Sequence, residues 1–412
     1  MKRKIDIVMF GFNDWHQWEQ QGFRTRNAII AKELAEHPDV GKMLVISTAK
    51  SIWINIYRVL KSGDLKNNIR QLALFDSSKA SRKVYLLDHT RLCPREEAYG
   101  PYYRINGLLH DAYLVKTIRK LVEKLEMRNP LLWVSNPLMA KHIGRLGEKL
   151  SVFDAIDDWT LHPQKKLITK STGRGYEIAA KKADIIFTVS NSLAKKLGQN
   201  RKDVYRISNG VNLELFQPRG YQVPPEMALL PRPIIGYVGA LQERVNISIL
   251  ETIARKTPQS SLVLIGPLVS PNHFKNLEAY SNIHFLGEKP YEKIPGYLHF
   301  CDVCILPHTR NDFTMSMNPL KLYEYLAMGK PVVTTDIPGL EEFGSLIKRA
   351  SSGDRFIQLI NESVAKSENG LPERCKEFVS HRSWDKKVDT MLEIIEDYRE
   401  ASVLSNKDGE KE

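Results

Sequence analysis

Apolar and polar positions alternate along this chain with two different periods. Short apolar runs at 5–12, 43–48, 131–135 and 183–190 are typical of buried strands, whereas 108–128 carries its apolar residues at helical spacing. A strand, helix, strand succession predicts parallel strands joined by helical crossovers. The pattern therefore predicts an α/β protein built on doubly wound parallel sheets, whose ligands bind beyond the carboxyl ends of the strands.

The alternation stops at residues 217–233, QPRGYQVPPEMALLPRP, and then begins again. A proline-rich stretch without periodicity is typical of a linker between domains. Further apolar runs at 234–241, 261–267 and 302–307 predict a second α/β domain after it. We expect the following organisation: an N-terminal domain over 1–217, a linker over 218–233, a C-terminal domain over 234–400 whose last helix can pack back on the N-terminal domain, and a disordered tail over 401–412.

The segment 302–342 has the most informative pattern. A buried strand leads through a polar loop to a helix that begins at Asn318-Pro319 and ends at Gly329. Proline is tolerated in a first helical turn, and glycine is common where a helix ends in a left-handed residue. The start of such a helix offers unpaired N–H donors and a positive dipole end, and both favour phosphate.

Two side chains of this helix supply complementary chemistry. Lys321 and Glu324 stand three residues apart and therefore share one helix face. A cation suits a diphosphate, and a carboxylate accepts hydrogen bonds from the hydroxyls of a ribose. The sequence therefore predicts a nucleotide-sugar site at the beginning of this helix. In the first half, Asn13, Asp14 and Arg26 follow the first strand and are further candidates for a ligand cleft, together with Trp15.

Composition narrows the class of protein. The 412 residues are 42% apolar and 26% charged, and no apolar run reaches the roughly 18–20 residues that cross a bilayer. Asp6 interrupts the apolar start, which favours a buried strand over a signal peptide. Four cysteines are too few for a disulfide framework, and we expect Cys301-x-x-Cys304 to pack in a core rather than bind metal. These features favour a cytoplasmic protein.

Positive charge is concentrated in the first half. The chain has a net charge of +12, yet residues 1–217 hold 37 Lys and Arg against 22 Asp and Glu. This excess predicts an anionic partner such as phospholipid head groups, a lipid-linked diphosphate or nucleic acid; the alternative is a merely solubilising surface. Nucleic acid is disfavoured, because the chain has no helix-turn-helix, zinc pattern or aromatic-basic β platform. A lipid partner would place the protein at the inner face of the cell membrane.

Residues 50–75 differ in character from the rest of this half. Trp53 and Tyr57 stand among aliphatic residues and several Lys and Arg. Such a segment can lie on an anionic membrane surface, with its aromatic rings at the interface. It can equally be an insertion that packs on the domain, and both interpretations stay open.

Four motifs occur in a fixed order: SNGVNLELF (208–216), IIGYVGALQER (234–244), HFLGEKPYEKIPGYLHFCDVCILP (284–307) and NPLKLYEYLAMGKPVVTTDIPGLEE (318–342). Together they resemble bacterial GT-B glycosyltransferases of the family 4 type, in a variant found among enzymes of cell-surface polysaccharide and teichuronic acid synthesis. The resemblance implies two Rossmann-like domains that face each other across a cleft. It also implies retaining transfer from a nucleotide-sugar donor, a UDP-sugar being favoured over a GDP-sugar, to a glycan or lipid-linked acceptor, with no cofactor.

The resemblance also implies roles for residues of the second domain. Glu324 matches the second glutamate of the family's E-x7-E pattern, which holds the ribose hydroxyls. Arg244 stands where the family places a basic residue on the diphosphate, after a glycine turn at Gly239. Gly287 and Glu288 match the loop that borders the base.

In the first domain, Asn136, Asp157 and Asp158 fall where the family places polar groups that face the donor sugar. A structural role in capping the neighbouring loops is the alternative. One departure concerns the second domain, because Ser316 stands where the first glutamate of the pattern is expected. We therefore expect the loop before the helix to present Ser316, Asn318 and backbone N–H groups to the donor.

The implied chemistry needs stabilisation of the departing diphosphate. Arg244, Lys321 and the helix dipole can supply it without a metal ion, and no Asp-x-Asp metal motif occurs in the chain. Two rival hypotheses keep the same fold. A nucleotide-sugar epimerase would convert the donor without an acceptor, and a catalytically inactive partner would only bind nucleotide-sugar, which the Ser316 departure makes conceivable.

Overall fold

The computed structural model describes residues 4–13, 15–47, 50–51, 69–71, 83–87, 89–91, 101–162, 168–199, 201–365 and 370–408. The chain divides into two compact units, which are unit 1 (Met1–Ile207 with Val388–Glu412) and unit 2 (Ser208–Lys387). Most of the segment 50–75, predicted to be a membrane-surface segment or an insertion, lies outside the described residues, as does Asp14.

Unit 1 is built on a doubly wound sheet. Its strand order is β10-β9-β8-β7-β1-β2-β5-β4, with every pairing parallel except that of β4 with β5. The chain leaves β1 toward β2 on one side and later returns to β7 on the other, which creates a topological switch point between β1 and β7. The strands are β1 Ile5–Phe10, β2 Val40–Ile46, β4 Ile69–Gln71, β5 Val84–Leu87, β7 Leu131–Val134, β8 Leu150–Ala155, β9 Ile185–Thr188 and β10 Val204–Arg206, and a separate pair is formed by β3 Lys50–Ser51 and β6 Thr90–Arg91.

Helices cover this sheet, so its central strands have no solvent-facing side. Every residue of β7 and β8 is buried, as expected for parallel strands covered on both faces. The helices of unit 1 are Trp15–Gln20, Arg26–Glu36, Pro101–Lys124, Thr169–Lys182, Asn191–Leu197 and the larger part of Trp384–Asp408, with a 3-10 helix at Pro137–His142. No helix in the described ranges is long and apolar enough to span a membrane.

Unit 2 has a six-stranded sheet in which all strands are parallel. Its order is β13-β12-β11-β14-β15-β16, so the switch point lies between β11 and β14. The strands are β11 Ile234–Val238, β12 Ser261–Ile265, β13 Ile283–Gly287, β14 Val303–Leu306, β15 Val332–Thr335 and β16 Ile347–Ala350. The helices are Ile247–Lys256, Pro271–Phe274, Ile294–Phe300, Asp312–Met315, Leu320–Ala327, Gly353–Ala365 and Leu371–Ser380, with 3-10 helices at Pro225–Met227, Lys275–Ala279, Tyr291–Lys293 and Glu341–Leu346.

The boundary between the units differs from the predicted domain boundary at residue 217. Ser208 already belongs to unit 2, because Val211 pairs with Ser383 and Phe216 is buried in the core of unit 2. The predicted linker, 218–233, also lies within unit 2, where Met227 is only 2% exposed. A proline-rich stretch without periodicity thus packs on a core here instead of separating two domains.

The C-terminal end differs as well. The last helix runs from Trp384 to Asp408, so residues 401–408 are helical where a disordered tail is predicted. The two cysteines of the Cys301-x-x-Cys304 motif agree with their prediction. Both are buried and neither forms a disulfide, and a Cβ atom at Gly236 would collide with the Cys301 sulfur. The Cys301-x-x-Cys304 pair therefore fills space beneath the sheet.

Candidate functional site

The candidate site of unit 2 lies at the carboxyl edge of its sheet, at the switch point between β11 and β14. Gly239 follows β11, and His308 follows β14 after a single proline. Connections leave these two strands in opposite directions, which opens a crevice where ligands of doubly wound sheets bind. The helix Leu320–Ala327 begins beyond the same edge and brings Lys321 to it.

Three glycines line this edge, one at the carboxyl end of each of three neighbouring strands. Gly239, Gly266 and Gly287 have φ angles of +151°, +145° and +69°, which L side chains rarely adopt. A Cβ atom at Gly266 would collide with the carbonyl of Gly239, and a Cβ atom at Gly239 would collide with the Lys321 side chain. The missing side chains therefore let two backbones and a lysine come together at one point.

Lys321 lies in the first turn of the helix Leu320–Ala327, and no acidic side chain of that turn compensates the positive end of the helix dipole. The sequence predicts Pro319 in the first helical turn, but the helix begins at Leu320 and Pro319 is the extended residue directly before it. That first turn contains no acidic side chain, so the partial positive charge of the dipole adds to the charge of Lys321. At the other end Gly329 adopts φ +65° and donates its N–H to Leu326, as predicted for a glycine that ends a helix.

Arg244 is held in place by neighbours at both ends. With the Gln242 amide oriented so that its oxygen faces Arg244, that oxygen accepts hydrogen bonds from Nε at 3.0 Å and Nη2 at 2.9 Å. The Arg244 carbonyl accepts the Thr309 N–H at 2.7 Å, which ties the loop after β11 to the loop after β14. Arg244 and Lys321 thus lie at the same edge of the sheet.

Glu324 is a buried carboxyl group with one hydrogen-bond partner among the described residues. It is 6% exposed and accepts a hydrogen bond from the Tyr291 hydroxyl at 2.8 Å. Burial raises the pKa of Glu324 to about 7, while the Tyr291 hydrogen bond and the charge of Lys321 act in the opposite direction. Such burial does not fit an exposed helix carboxylate that merely pairs with Lys321, and no pattern in the sequence indicates the partner Tyr291.

His308 is a second residue that sequence reasoning missed. Its ring is 1% exposed, and neither ring nitrogen has a hydrogen-bond partner among the described residues. Burial lowers its pKa well below the usual value, and the charges of Arg244 and Lys321 lower it further. A neutral imidazole therefore stands beside two cations. In the sequence, the feature that could have indicated His308 as a site residue is its position directly after the proline that ends the strand.

The loop before the helix uses its polar side chains inside the protein. Asn318 accepts hydrogen bonds from the Asn209 N–H at 2.8 Å and from the Tyr323 hydroxyl at 3.1 Å, and it donates to Glu342 at 2.9 Å. Ser316 is 4% exposed and donates to the Phe313 carbonyl at 2.7 Å. These bonds give both side chains a structural role beside the predicted role in donor binding.

The remaining predicted residue of unit 2 is Glu288, which follows Gly287 at the end of β13. Both residues are exposed, and a Cβ atom at Gly287 would meet open space. An exposed backbone turn with a left-handed glycine leaves room for a planar group to approach.

In unit 1, Asn136 and Asp158 follow the carboxyl ends of β7 and β8 and cap local structure. The Asn136 side chain accepts the Leu138 N–H at 3.0 Å at the start of the 3-10 helix Pro137–His142. Asp158 accepts the Thr160 N–H at 3.1 Å and binds Lys196 at 2.7 Å. These contacts correspond to the capping alternative for both residues.

Asp157 and its aromatic neighbour lie at the same edge of unit 1. The Asp157 carbonyl accepts a hydrogen bond from the buried Tyr176 hydroxyl at 2.5 Å. Trp159 stacks on Phe12 with ring centroids 4.4 Å apart and on His162 at 5.3 Å. The sequence does not indicate this stack, because Phe12 and Trp159 are distant in the chain and follow different strands.

Two of the candidates that follow the first strand are buried. Arg26 is 1% exposed and pairs with Asp154, whose Oδ1 lies 2.9 Å from Nη2, and Trp15 is fully buried. Neither side chain is accessible to a ligand, since each is needed to fill or neutralise the interior of unit 1. In the described part of the chain no group of three or more His, Cys, Asp or Glu could hold a metal ion.

One stretch of the chain matches a known protein family. Residues 232–362 match the family Glycosyl transferases group 1. The curated protein "Putative teichuronic acid biosynthesis glycosyltransferase TuaH" of Bacillus subtilis is 30% identical over 148 residues. That stretch is 35% of this chain and 37% of the relative, so the match spans little more than a third of the relative's length.

Solved structures with a similar fold cover almost the whole chain. HepE of Anabaena in complex with UDP-glucose has a TM-score of 0.62 at 14% identity, over 95% of this chain and 100% of that chain. An α,α-trehalose-phosphate synthase (UDP-forming) of Burkholderia vietnamiensis has a TM-score of 0.68 at 12% identity, over 98% of this chain and 100% of that chain. This likeness confirms the predicted fold class, GT-B with two Rossmann-like parallel-sheet domains.

Proposed function

We propose that this chain is a retaining, metal-independent glycosyltransferase that uses a nucleotide-sugar donor, since its residues 232–362 match the family Glycosyl transferases group 1. The observation that carries this proposal is the packing of Lys321 against the backbone of Gly239 at the switch point of unit 2. One helical turn further on, the buried carboxyl group of Glu324 shares the same helix.

The donor is a UDP-sugar with its diphosphate at the glycine-lined edge. Arg244, Lys321 and the backbone at Gly239 bind the diphosphate, because two fixed cations and a helix dipole match its charges. Glu324 accepts hydrogen bonds from the ribose hydroxyls, and the turn at Gly287 and Glu288 borders the base. The HepE structures of similar fold hold UDP and UDP-glucose, which supports UDP over GDP for this chain.

The reaction replaces one bond at the anomeric carbon by another. The bond between that carbon and the diphosphate oxygen breaks, an acceptor oxygen attacks from the same face, and its proton passes to the leaving phosphate. Negative charge grows on the diphosphate as the bond breaks. Arg244 and Lys321 stabilise that charge from fixed positions, which is the main way in which a site of this kind lowers a barrier.

The acceptor is a cell-surface glycan precursor on a lipid carrier, reached from the cytoplasmic face of the membrane. The similarity to a protein named for teichuronic acid biosynthesis supports this class of acceptor. The excess of Lys and Arg in residues 1–217 supports a position at an anionic membrane surface.

A panel of UDP-, GDP-, ADP- and dTDP-sugars tests the donor by thermal shift. We expect UDP-sugars to raise the melting temperature, since a ligand at 100 times its Kd adds about 2.7 kcal/mol to the free energy of unfolding. Lys321→Gln removes most of that shift and of the transfer activity, whereas Lys275→Gln, which changes an exposed lysine of the same unit, leaves both unchanged.

Turnover with and without a lipid-linked acceptor then separates the rival functions. Product that appears only with acceptor, in the anomeric configuration of the donor by NMR, is the expected result. Conversion of donor alone would indicate an epimerase, and a thermal shift without any turnover would indicate an inactive nucleotide-sugar-binding partner. A covalent sugar–enzyme adduct would contradict same-face attack.

A further inference from the structure

Unit 1 has a pocket of about 640 Å³ that the donor site does not use. It lies on the exposed side of the helix Pro101–Lys124 and is closed by the loop at Gly144 and Arg145. That loop leads into the amino end of β8, whereas Asn136 and Asp158 follow carboxyl ends of strands. The pocket is therefore separate from the ligand edge of the sheet of unit 1.

Positive charge dominates the lining of this pocket. Four cations, Lys116, Arg119, Lys120 and Arg145, face one carboxylate, Glu123. None of the four cations forms an ion pair with a carboxylate anywhere in the described ranges. Cations of like charge that share one concave surface repel each other, so the arrangement favours an anion from outside the chain.

The lining is also held in a fixed shape. Arg119 donates from Nε to the carbonyl of Arg145 at 3.0 Å, which joins the helix to the loop. Glu148 accepts the N–H groups of Gly144 at 2.6 Å and Leu146 at 2.9 Å, and thereby fixes the turn. Gly144 has a φ of +80° with open space around a built Cβ atom, so the loop presents backbone to the pocket. The helix and the loop that carry the two arginines and the two lysines are thus fixed relative to each other.

We propose that this pocket binds the phosphate head groups of an anionic membrane and docks unit 1 on it. Guanidinium and ammonium groups bind phosphate well, arginine through two donors at once. Tyr113, three residues before Lys116 on the same helix, is 67% exposed, and an aromatic ring with a polar tip suits the head-group layer. The inference rests on the proposed function in one respect, because a lipid-linked acceptor explains why unit 1 meets a membrane.

Vesicle co-sedimentation of the full-length protein tests the assignment. We expect binding to phosphatidylglycerol vesicles and no binding to phosphatidylcholine vesicles at low salt. The double variant Lys116→Gln/Lys120→Gln should weaken binding by about 30-fold, since each lysine near an anionic surface contributes about fivefold. The matched control Lys181→Gln/Lys182→Gln removes the same charge from exposed positions of unit 1 outside the pocket and should stay within about twofold of wild type.

Three outcomes would overturn the proposal. Equal losses in both double variants would indicate diffuse surface charge, and wild-type binding by Lys116→Gln/Lys120→Gln would exclude the pocket. Binding of soluble pyrophosphate that depends on Lys116 and Lys120, without vesicle binding, would assign the pocket to a free phosphate ligand. The thermal shift with UDP-glucose is measured on the same samples and should be unchanged in all variants, so a failure of donor binding is seen separately.

Discussion

At the residue scale, the feature with the clearest consequence is the buried carboxyl group of Glu324. Its pKa is raised to about 7, chiefly because burial disfavours the charged form, so the free protein holds this group partly protonated at neutral pH. Ribose hydroxyls that donate hydrogen bonds to Glu324 favour the carboxylate form. Donor binding should therefore release a proton.

The affinity for UDP-glucose should accordingly rise with pH. Both phosphates of UDP-glucose are esterified and do not titrate near neutrality, so the change reports on the protein. We expect the Kd at pH 6 to be about tenfold higher than the plateau above pH 8, because only about a tenth of Glu324 is ionised one unit below its pKa. Isothermal titration calorimetry from pH 5.5 to 8.5 measures the slope. Glu324→Gln should bind more weakly and without that slope; an identical slope in this variant would assign the titration to another group.

At the element scale, the helix Leu320–Ala327 depends on the loop before it for its position. Asn318 connects three separate stretches through Asn209, Tyr323 and Glu342. Each partner is a polar group that is costly to leave unsatisfied when buried. The network therefore holds the start of the helix, and with it Lys321, against the first residues of unit 2.

Asn318→Ala tests this role of the network. Loss of three hydrogen bonds at a site that is 5% exposed should lower the free energy of unfolding by about 1–3 kcal/mol, measured by urea unfolding. Asn361→Ala, at an exposed helical position of the same unit, should change it by less than about 0.5 kcal/mol. A variant of Asn318 that keeps full stability but loses UDP-glucose affinity would instead support the direct donor contact that the sequence predicts.

Elements with strong local patterns were predictable, and those that depend on distant partners were not. The strand Val303–Leu306 and the helix Leu320–Ala327 follow from apolar spacing, a proline and a glycine. The neighbours Tyr291 and His308 did not follow, because no local pattern states which side chains will meet Glu324 or Arg244. Likewise, the stretch 218–233 has the composition of a linker, but Met227 contributes to the core of unit 2, which only the folded chain reveals.

At the scale of the whole molecule, the two units differ in whether one segment of the chain or two segments form them. Unit 2 is one continuous segment, Ser208–Lys387, with its own six-stranded sheet and hydrophobic core. Unit 1 combines residues from both ends of the chain. A contiguous segment with a core of its own is what an autonomous folding domain requires.

Residues 208–387 expressed alone should therefore fold and bind the donor. We expect a cooperative thermal transition and an increase in melting temperature with UDP-glucose, because Arg244, Lys321 and Glu324 all lie within this segment. Transfer to an acceptor should be absent from the fragment. The corresponding fragment 1–207 is the comparison, and it should be less stable than the same unit in the full chain. An unfolded 208–387 fragment, with circular dichroism of a disordered chain, would contradict this division.

The return of Val388–Glu412 to unit 1 sets an order for synthesis on the ribosome. Unit 2 has all of its residues as soon as Lys387 has left the exit tunnel, while unit 1 still lacks its final segment, including Asp389, which pairs with His37 at 3.1 Å. Most of unit 1 is thus translated before unit 2, yet unit 1 receives its last residues after unit 2 is complete. A nonsense codon shortly after position 387 would therefore damage the amino-terminal unit and spare unit 2, which carries the proposed donor site.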